Sequence, residues 1–285
     1  MASRLPVSKD FKLANVRAVL MTSDGLRHRH VAWQLSRGLH LCGVVAELKA
    51  AGVSQALPGP DQATLNAHFA ERDRVESSML PATAAFPDTE LLSIAAGTVN
   101  SQEVFDWVNA RQPDVVVLYG TGVIRQPLLD AYADRMVNLH LGLSPYYRGA
   151  GTNFWPLVNG EPEYVGATIH DVHPAVDAGP ILAQVRPQIL AGDRAHEIGT
   201  RTILMAAAAL PQVIQLKVSG QIRGVAQNLT AGRVYRVRDF NGDAVRLLWQ
   251  HLENGMIDRY LEMRERRLAA APIVSLPGVA AVASR

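Results

Sequence analysis

Short apolar runs alternate with amphipathic stretches along the first part of the chain. The run 16–22 leads into the turn residues Ser23-Asp24-Gly25, a pattern typical of a buried strand. An amphipathic stretch at 28–38 follows, and then a second apolar run at 39–47. A strand, a helix and a strand within about 30 residues predict one right-handed crossover unit of a parallel sheet.

The same alternation continues to about residue 218. The β-branched run 114–119 has the composition of a central parallel strand, and Ser101 is the predicted N-cap of a helix at 101–111. Further strands are predicted at 136–141, 165–172 and 180–190, and further helices at 61–79, 127–135 and 193–218. The pattern therefore predicts an α/β fold with a Rossmann-like, mostly parallel sheet flanked by helices.

The pattern changes after Gly220, where a short strand at 234–240 and a single helix at 244–267 are predicted. We divide the chain into an N-terminal extension (1–15), a main domain (16–220), a small C-terminal subdomain (221–267) and a flexible tail (268–285). The tail is predicted because it is rich in Ala, Val and Pro and nearly uncharged.

Composition narrows the class of protein. Hydrophobic residues make up 48% and charged residues 19%, which excludes a wholly disordered chain. A net charge of +2 gives no electrostatic case for nucleic acid or an anionic membrane as partner. The single cysteine, Cys42, excludes an internal disulfide and a cysteine-only metal cluster. Without a signal peptide or a span of about 20 apolar residues, we expect a cytoplasmic protein, and a homo-oligomer stays open.

Three polar residues form the candidate chemistry. Asn138 and His140 are two apart on a predicted strand, so their side chains point to the same side. Gly142 and Pro145 end that strand soon afterwards, and open α/β sheets bind ligands at the carboxyl ends of strands. An amide and an imidazole there can hold a developing oxyanion. Asp177, just before a later strand, can bond to the imidazole or to water and accept a proton.

These segments resemble the signature of the 10-formyltetrahydrofolate-dependent formyltransferases. The resemblance rests on Asn138-Leu139-His140, on Pro145 and Gly149, and on Asp177-Ala178-Gly179-Pro180-Ile181. That family includes glycinamide ribonucleotide, methionyl-tRNA and sugar-nucleotide formyltransferases and formyltetrahydrofolate deformylase. The resemblance extends over 16–217 and makes 16–220 the expected catalytic domain.

The resemblance implies a mechanism without a metal ion or a covalent enzyme intermediate. An amine of a small-molecule acceptor attacks the formyl carbon of the co-substrate 10-formyltetrahydrofolate. Asn138 and protonated His140 stabilise the tetrahedral oxyanion, and Asp177 tunes the histidine and relays the amine's proton.

The resemblance also implies a folate pocket between two segments, at 119–124 and 169–176. Backbone groups of such loops can read the edge of the pterin while apolar residues sandwich its ring. A plain turn at the end of a strand explains Gly120 and Gly122 as well as direct contact with the folate does. The expected contacts are Tyr119, Gly120, Thr121, Gly122, Val123, Ile124, His170, Asp171, Val172, His173 and Val176.

Four residues are candidates for binding the acceptor. Arg27 and Arg29 open a predicted helix, where free N–H groups and guanidinium groups bind anions, although a solvated helix start explains them equally well. Arg148 and Asn153 lie in a run closest to the sugar-nucleotide N-formyltransferases, which suggests an amino sugar on a nucleotide as acceptor. One departure is Gly142, which stands where the family often has serine.

Other functions remain open on the sequence alone. The same three groups can direct water onto the formyl carbon, which would make the protein a formyltetrahydrofolate hydrolase. A methionyl-tRNA-type formyltransferase is a further alternative, although the residues after 220 do not resemble the longer C-terminal barrel of those enzymes. A nicotinamide-dependent oxidoreductase is disfavoured because the sequence lacks the glycine fingerprint of that class. A folate-binding protein without catalytic activity would not need the three polar groups. A metal site at His170 and His173 is disfavoured because no third ligand lies at a suitable spacing.

Overall fold

The computed structural model describes residues 16–48, 61–81, 85–230 and 232–276, so the predicted N-terminal extension lies outside them. Within the described residues there are nine strands: β1 (Arg17–Ser23), β2 (His40–Glu47), β3 (Leu91–Ile94), β4 (Val115–Leu118), β5 (Met136–His140), β6 (Tyr147–Gly149), β7 (Ala167–Asp171), β8 (Ile181–Val185) and β9 (Arg233–Tyr235). The same residues contain nine α-helices: α1 (Leu26–Gly38), α2 (Asp61–Met79), α3 (Gln102–Ala110), α4 (Leu128–Tyr132), α5 (Trp155–Val158), α6 (Ala195–Val218), α7 (Gly242–Glu253), α8 (Met256–Glu262) and α9 (Arg264–Ala270).

Seven strands form the main sheet, in the order β3-β2-β1-β4-β5-β7-β8. The strands from β3 to β5 are parallel, whereas β7 and β8 run antiparallel to their neighbours. The mostly parallel, Rossmann-like α/β fold predicted from the sequence is confirmed. From β1, the next strands in the chain lie on one side (β2 and β3) and the later ones on the other side (β4 and β5). The position between β1 and β4 is therefore the topological switch point, beside which such folds bind ligands.

Helices cover both faces of the sheet, and the side chains of β1 point alternately into the two cores. Ala18 and Leu20 belong to a core that α1 and α6 complete, whereas Val19 and Met21 belong to a second core with α3 and α4. A strand buried on both faces has no polar positions to alternate with apolar ones. This burial explains the uninterrupted apolar runs in the sequence.

The same alternation places the polar residues of β5. Val137 and Leu139 lie in the core beneath α1 and α6, and Met136 lies in the core beneath α3 and α4. Asn138 and His140 therefore share the face of Met136, as their spacing of two predicts.

The segment after residue 220 differs from the sequence prediction. The single helix predicted at 244–267 is wrong, since α7, α8 and α9 replace it. Gly255, with φ of 76°, takes the left-handed conformation that ends α7. The strand predicted at 234–240 is also shorter than expected: β9 pairs with β6 over three residues, and a 3₁₀ turn occupies Val237–Asp239.

A third core joins this C-terminal segment to the rest of the chain. Trp155 of α5, Leu248 of α7 and Tyr260 of α8 are buried in it together. Beyond α9, the backbone of Val274 is hydrogen-bonded to the backbone N–H and side-chain carbonyl of Gln184 in β8. Part of the predicted tail is therefore hydrogen-bonded to the edge strand of the sheet. Residues 277–285 lie outside the described part of the chain. The division of the chain at 220 and 267 stays a prediction.

Helix α6 has 24 residues and packs closely against α1. A Cβ atom on Gly38 of α1 would lie 2.5 Å from Cβ of Pro211 in α6, so the contact requires glycine at this position. Neither α6 nor another helix in the described ranges combines the length and hydropathy needed to cross a bilayer.

We expect Leu210→Ala to lower the free energy of unfolding by about 2–5 kcal/mol, because Leu210 is fully buried between α6 and the sheet and its loss leaves a cavity. Urea denaturation measures the change. Leu247→Ala is the matched control, since Leu247 is 40% exposed and should change stability by less than about 0.5 kcal/mol. Equal effects of the two substitutions would contradict this placement of the core.

Candidate active site

Asn138, His140 and Asp177 converge, although Asp177 is distant from the other two in the chain. Oδ1 of Asp177 lies 3.3 Å from Nδ1 of His140 and 3.4 Å from Nδ2 of Asn138. Its other oxygen, Oδ2, accepts a hydrogen bond of 2.8 Å from the backbone N–H of Gly149. One carboxylate thus joins β5, β6 and the loop before β8.

The loop holds Asp177 in an uncommon backbone conformation, with φ of 49°. Nε2 of Gln227 donates to the backbone carbonyls of Asp177 and Gly179, at 2.9 and 2.6 Å, and these bonds brace the loop from outside. At Gly179, a Cβ atom would lie 1.6 Å from the carbonyl oxygen of Asp171. Only glycine can occupy that position without displacing the backbone, which explains the Asp-Ala-Gly sequence.

His170, which the resemblance implied as a folate contact, belongs to the same cluster as Asn138. Register pairs it with Asn138 across β5 and β7, so both side chains lie on one face of the sheet. Its Nδ1 faces the carbonyl oxygen of Asp171 at 2.8 Å, which requires the proton on Nδ1. Nε2 then accepts from Nδ2 of Asn138 at 3.1 Å. Both amide hydrogens of Asn138 therefore have acceptors, one at His170 and one at Asp177.

Burial and charge act in opposite directions on the two ionisable partners. Burial opposes ionisation of Asp177, but the positive charge of protonated His140 and the hydrogen bond from the N–H of Gly149 favour the carboxylate, and the pKa is lowered to about 2. Burial also lowers the pKa of His140 below 6.5, against the opposing effect of Asp177. The site thus holds a carboxylate that stays ionised beside an imidazole whose protonated form burial disfavours.

A cavity of about 340 Å³ adjoins this cluster. Two of its wall segments continue directly from the cluster: Leu141 follows His140, and 150–152 follows Gly149. Its remaining wall comes from α1, α2, α6 and the turn around Phe240. None of the three polar side chains is part of the cavity wall, and the cavity approaches the cluster through Leu141 and Thr152.

Aromatic and imidazole rings dominate the far wall of this cavity. The ring centroid of His68 lies 4.4 Å from that of His196 and 5.5 Å from that of Phe154, and Phe154 lies 4.8 Å from Phe240. Burial, followed by the nearby cationic groups, lowers the pKa of His68 to about 3 and that of His196 to about 4. Both histidines are therefore neutral at pH 7, whereas the charged side chains of Arg72 and Glu76 also line the cavity.

Of the four candidate acceptor-binding residues, two line the cavity and two do not. Arg27 lines the cavity and forms an ion pair with Glu76, and Asn153 also lines it while its Oδ1 accepts from the N–H of Gly166 at 3.2 Å. Arg29 donates to the carbonyl of Asp24 at 2.8 Å and Arg148 to that of Leu229 at 3.3 Å. The last two arginines are not part of the cavity wall.

The two predicted folate segments follow β4 and β7, the strands on either side of β5. In the first, Tyr119 and Ile124 are buried, whereas Val123 is 53% exposed. In the second, Val176 is 50% exposed and Asp171 pairs with Lys217 at 2.6 Å. Gly120 has φ of 69°, so the turn after β4 requires its conformation.

In the described part of the chain, no group of three or more His, Cys, Asp or Glu side chains is arranged to hold a metal ion. His170 bonds within the polar cluster, and Nδ1 of His173 accepts from the N–H of Ala175 at 3.0 Å.

Residues 61–214, more than half of the chain, match the family model described as formyl transferase. The chain belongs to the formyl transferase family. The resemblance inferred from the sequence motifs is thereby confirmed.

Two curated relatives illustrate the range of this family. The phosphoribosylglycinamide formyltransferase of Escherichia coli (strain K12) is 32% identical over 137 residues, covering 46% of this chain and 64% of that protein. The GDP-perosamine N-formyltransferase of Brucella melitensis is 29% identical over 171 residues, covering 60% of this chain and 64% of that protein. The matches thus span less than two thirds of either relative.

A solved structure supports the fold. The phosphoribosylglycinamide formyltransferase from Anaplasma phagocytophilum superimposes with a TM-score of 0.54 over 78% of this chain and 98% of that chain. At 16% sequence identity, this match establishes a shared fold for this formyl transferase family member and nothing about its acceptor.

We expect Asp177 to contribute a pH-dependent part of the stability. Because its folded pKa lies below the 3.8 of the free side chain, the contribution is present above about pH 4 and is lost as pH falls towards 2. Unfolding free energies of the wild type and Asp177→Asn, compared from pH 5 downward, should converge by about 2 kcal/mol. A difference that stays constant over that range would contradict an ionised, stabilised Asp177.

Proposed function

We propose that this protein transfers a formyl group from 10-formyltetrahydrofolate to an amine of a small-molecule acceptor. The observation that carries the proposal is the convergence of Asn138, His140 and Asp177 within the region that matches the formyl transferase family. Family membership identifies the group transferred, and the cluster supplies the polar groups that such a transfer needs.

The proposed chemistry uses the contacts of this polar cluster directly. The acceptor nitrogen attacks the formyl carbon, the bond from that carbon to N10 of the folate breaks, and the amine's proton ends on N10. The proton passes from the amine to N10 through His140 or water, and the ionised Asp177 stabilises the positive charge that His140 carries on the way. Asn138 donates to the oxyanion after exchanging its bond to His170 or Asp177 for one to the formyl oxygen.

We place the folate between the segments 119–124 and 169–176, which flank β5 in the sheet. The exposed side chains of Val123 and Val176 are available to cover the pterin ring. The acceptor then approaches from the other direction, through the ring-lined cavity.

An amino sugar on a nucleotide is the acceptor that we favour. Support comes from the similarity to GDP-perosamine N-formyltransferase, whose name specifies an amino-sugar nucleotide, and from the aromatic cavity wall around Phe154 and His68. Such walls stack against sugar and base rings. The cavity of about 340 Å³ has room for the ring that carries the amine.

We expect Asn138→Ala, His140→Ala and Asp177→Ala each to reduce kcat by about two powers of ten or more, since each removes an oxyanion donor or an acid–base group. Mass spectrometry of candidate amines, incubated with protein and 10-formyltetrahydrofolate, measures the gain of one formyl group. The matched controls are the exposed Asn66→Ala, His40→Ala and Asp106→Ala, which should retain activity.

Two outcomes would contradict this proposal. Near-normal turnover in all three site variants would remove the cluster from the chemistry. Rapid release of formate without any acceptor amine would instead identify a formyltetrahydrofolate hydrolase.

We expect Arg27→Ala to raise the KM for the acceptor about tenfold, because one charged contact in the cavity wall is lost, while the KM for the folate stays unchanged. Arg29→Ala is the matched comparison, since Arg29 lies outside the wall and should alter the KM less. Arg27→Lys keeps a charge beside Glu76 and guards against a folding defect. An unchanged acceptor KM in Arg27→Ala would remove this residue from acceptor binding.

A further inference from the structure

Thr152 touches His140 from the side opposite Asp177. The Thr152 side chain is buried, and its Oγ1 lies 3.2 Å from Nε2 of His140. The same hydroxyl is hydrogen-bonded to the carbonyl oxygen of Leu141. The carbonyl oxygen of Tyr147 is the second neighbour of Nε2, at 3.3 Å. Nε2 thus faces one hydroxyl and one carbonyl.

These two neighbours differ in what they can do. When His140 carries one proton, that proton belongs on Nδ1, which faces the Asp177 carboxylate, and Nε2 then needs a donor. The carbonyl of Tyr147 only accepts, so it pairs with Nε2 only when this nitrogen is protonated. The hydroxyl of Thr152 can donate or accept, so it pairs with Nε2 in both states.

We propose that Thr152 is a positioning residue whose hydroxyl turns between Leu141 and His140 as His140 gains and loses its proton. Next to the neutral ring, the hydroxyl donates to Nε2. Next to the protonated ring, it accepts from Nε2–H and donates to the carbonyl of Leu141. The ring thereby keeps one orientation through the proton cycle. This inference rests on the proposed function, in which His140 exchanges a proton.

Gly142 makes this contact sterically accessible. A Cβ atom on Gly142 would lie 2.5 Å from Nε2 of His140 and 2.6 Å from Oγ1 of Thr152. Any side chain there would push between the two groups. The glycine that departs from the motif resembled by this chain is therefore matched to the threonine ten residues later in the sequence.

Thr152 also lines the acceptor cavity, so its orientation connects the ring-lined wall to the polar cluster. The titratable groups against His140 in the described structure are Asp177, from the loop before β8, and His170, from β7. The pKa of Asp177 is lowered to about 2, so this carboxyl stays ionised above about pH 4. An NMR signal assigned to His140 by substitution reports on that ring alone.

The test compares Thr152→Val, which keeps the shape and removes the hydroxyl, with Thr152→Ser, which keeps the hydroxyl. We expect Thr152→Val to lose about tenfold in kcat with the acceptor KM nearly unchanged, and Thr152→Ser to recover most of the loss. Thr202→Val is the matched control, because Thr202 is a buried threonine of α6 bonded to the carbonyl of Ile198 and lies outside the cavity wall. It should leave kcat unchanged.

A second readout needs no activity. In Thr152→Val the neutral ring loses its donor while the carbonyl of Tyr147 still accepts from the protonated ring, so the pKa of His140 should rise by about half to one unit. Titration of the histidine signals by NMR, assigned with His140→Gln, measures this shift in the protein alone. The pH–rate profile of kcat should move in the same direction.

The outcomes separate this inference from the proposed function. An unshifted His140 titration with unchanged kcat in Thr152→Val would overturn it, and so would an equal loss in Thr152→Ser, which would indicate a role in packing alone. If the wild type transferred no formyl group but the pKa of His140 rose as expected, the proposed function would fail while the coupling of Thr152 to His140 would stand.

Discussion

Asp177 carries an ionised carboxylate in a largely buried position, and separate segments supply the groups that keep it ionised. His140 and Asn138 approach one oxygen from β5, and the N–H of Gly149 donates to the other. A buried charge without such partners would be strongly destabilising. The geometry of the site therefore follows from the requirement to satisfy this one carboxylate, which ties β5, β6 and the loop before β8 into a fixed arrangement.

The sheet provides the frame on which that arrangement depends. Val137 and Leu139 anchor β5 in one core, so the alternating positions on the opposite face are available for polar side chains. The antiparallel β7 then brings His170 directly opposite Asn138. Because β7 reverses the direction of the sheet at this point, the loop after it returns across the face of β5 and can deliver Asp177.

The cavity next to the cluster depends on the outer parts of the molecule. Its wall combines α2, the N-terminal end of α6 and the turn around Phe240, and the third core holds the last two near α5. The C-terminal segment thus contributes directly to the surface where we place the acceptor. Within a shared family fold, variation in such outer segments is a physical means of changing the acceptor while the polar cluster stays the same.

Local patterns in the sequence were sufficient to predict the sheet, the N-cap at Ser101 and the shared face of Asn138 and His140. In the structure, the Ser101 side chain accepts a hydrogen bond from the N–H of Val104. These features depend on neighbouring residues and on the period of a strand. The positions of His68, His196 and Thr152 around the site could not be obtained in that way. They depend on how distant helices and loops pack, and a hydroxyl or imidazole carries no sequence period that indicates its partner. The sequence alone therefore determined the architecture and the three candidate polar groups. The tertiary structure decided the cavity and the contacts of His140, because those arise from packing between segments far apart in the chain.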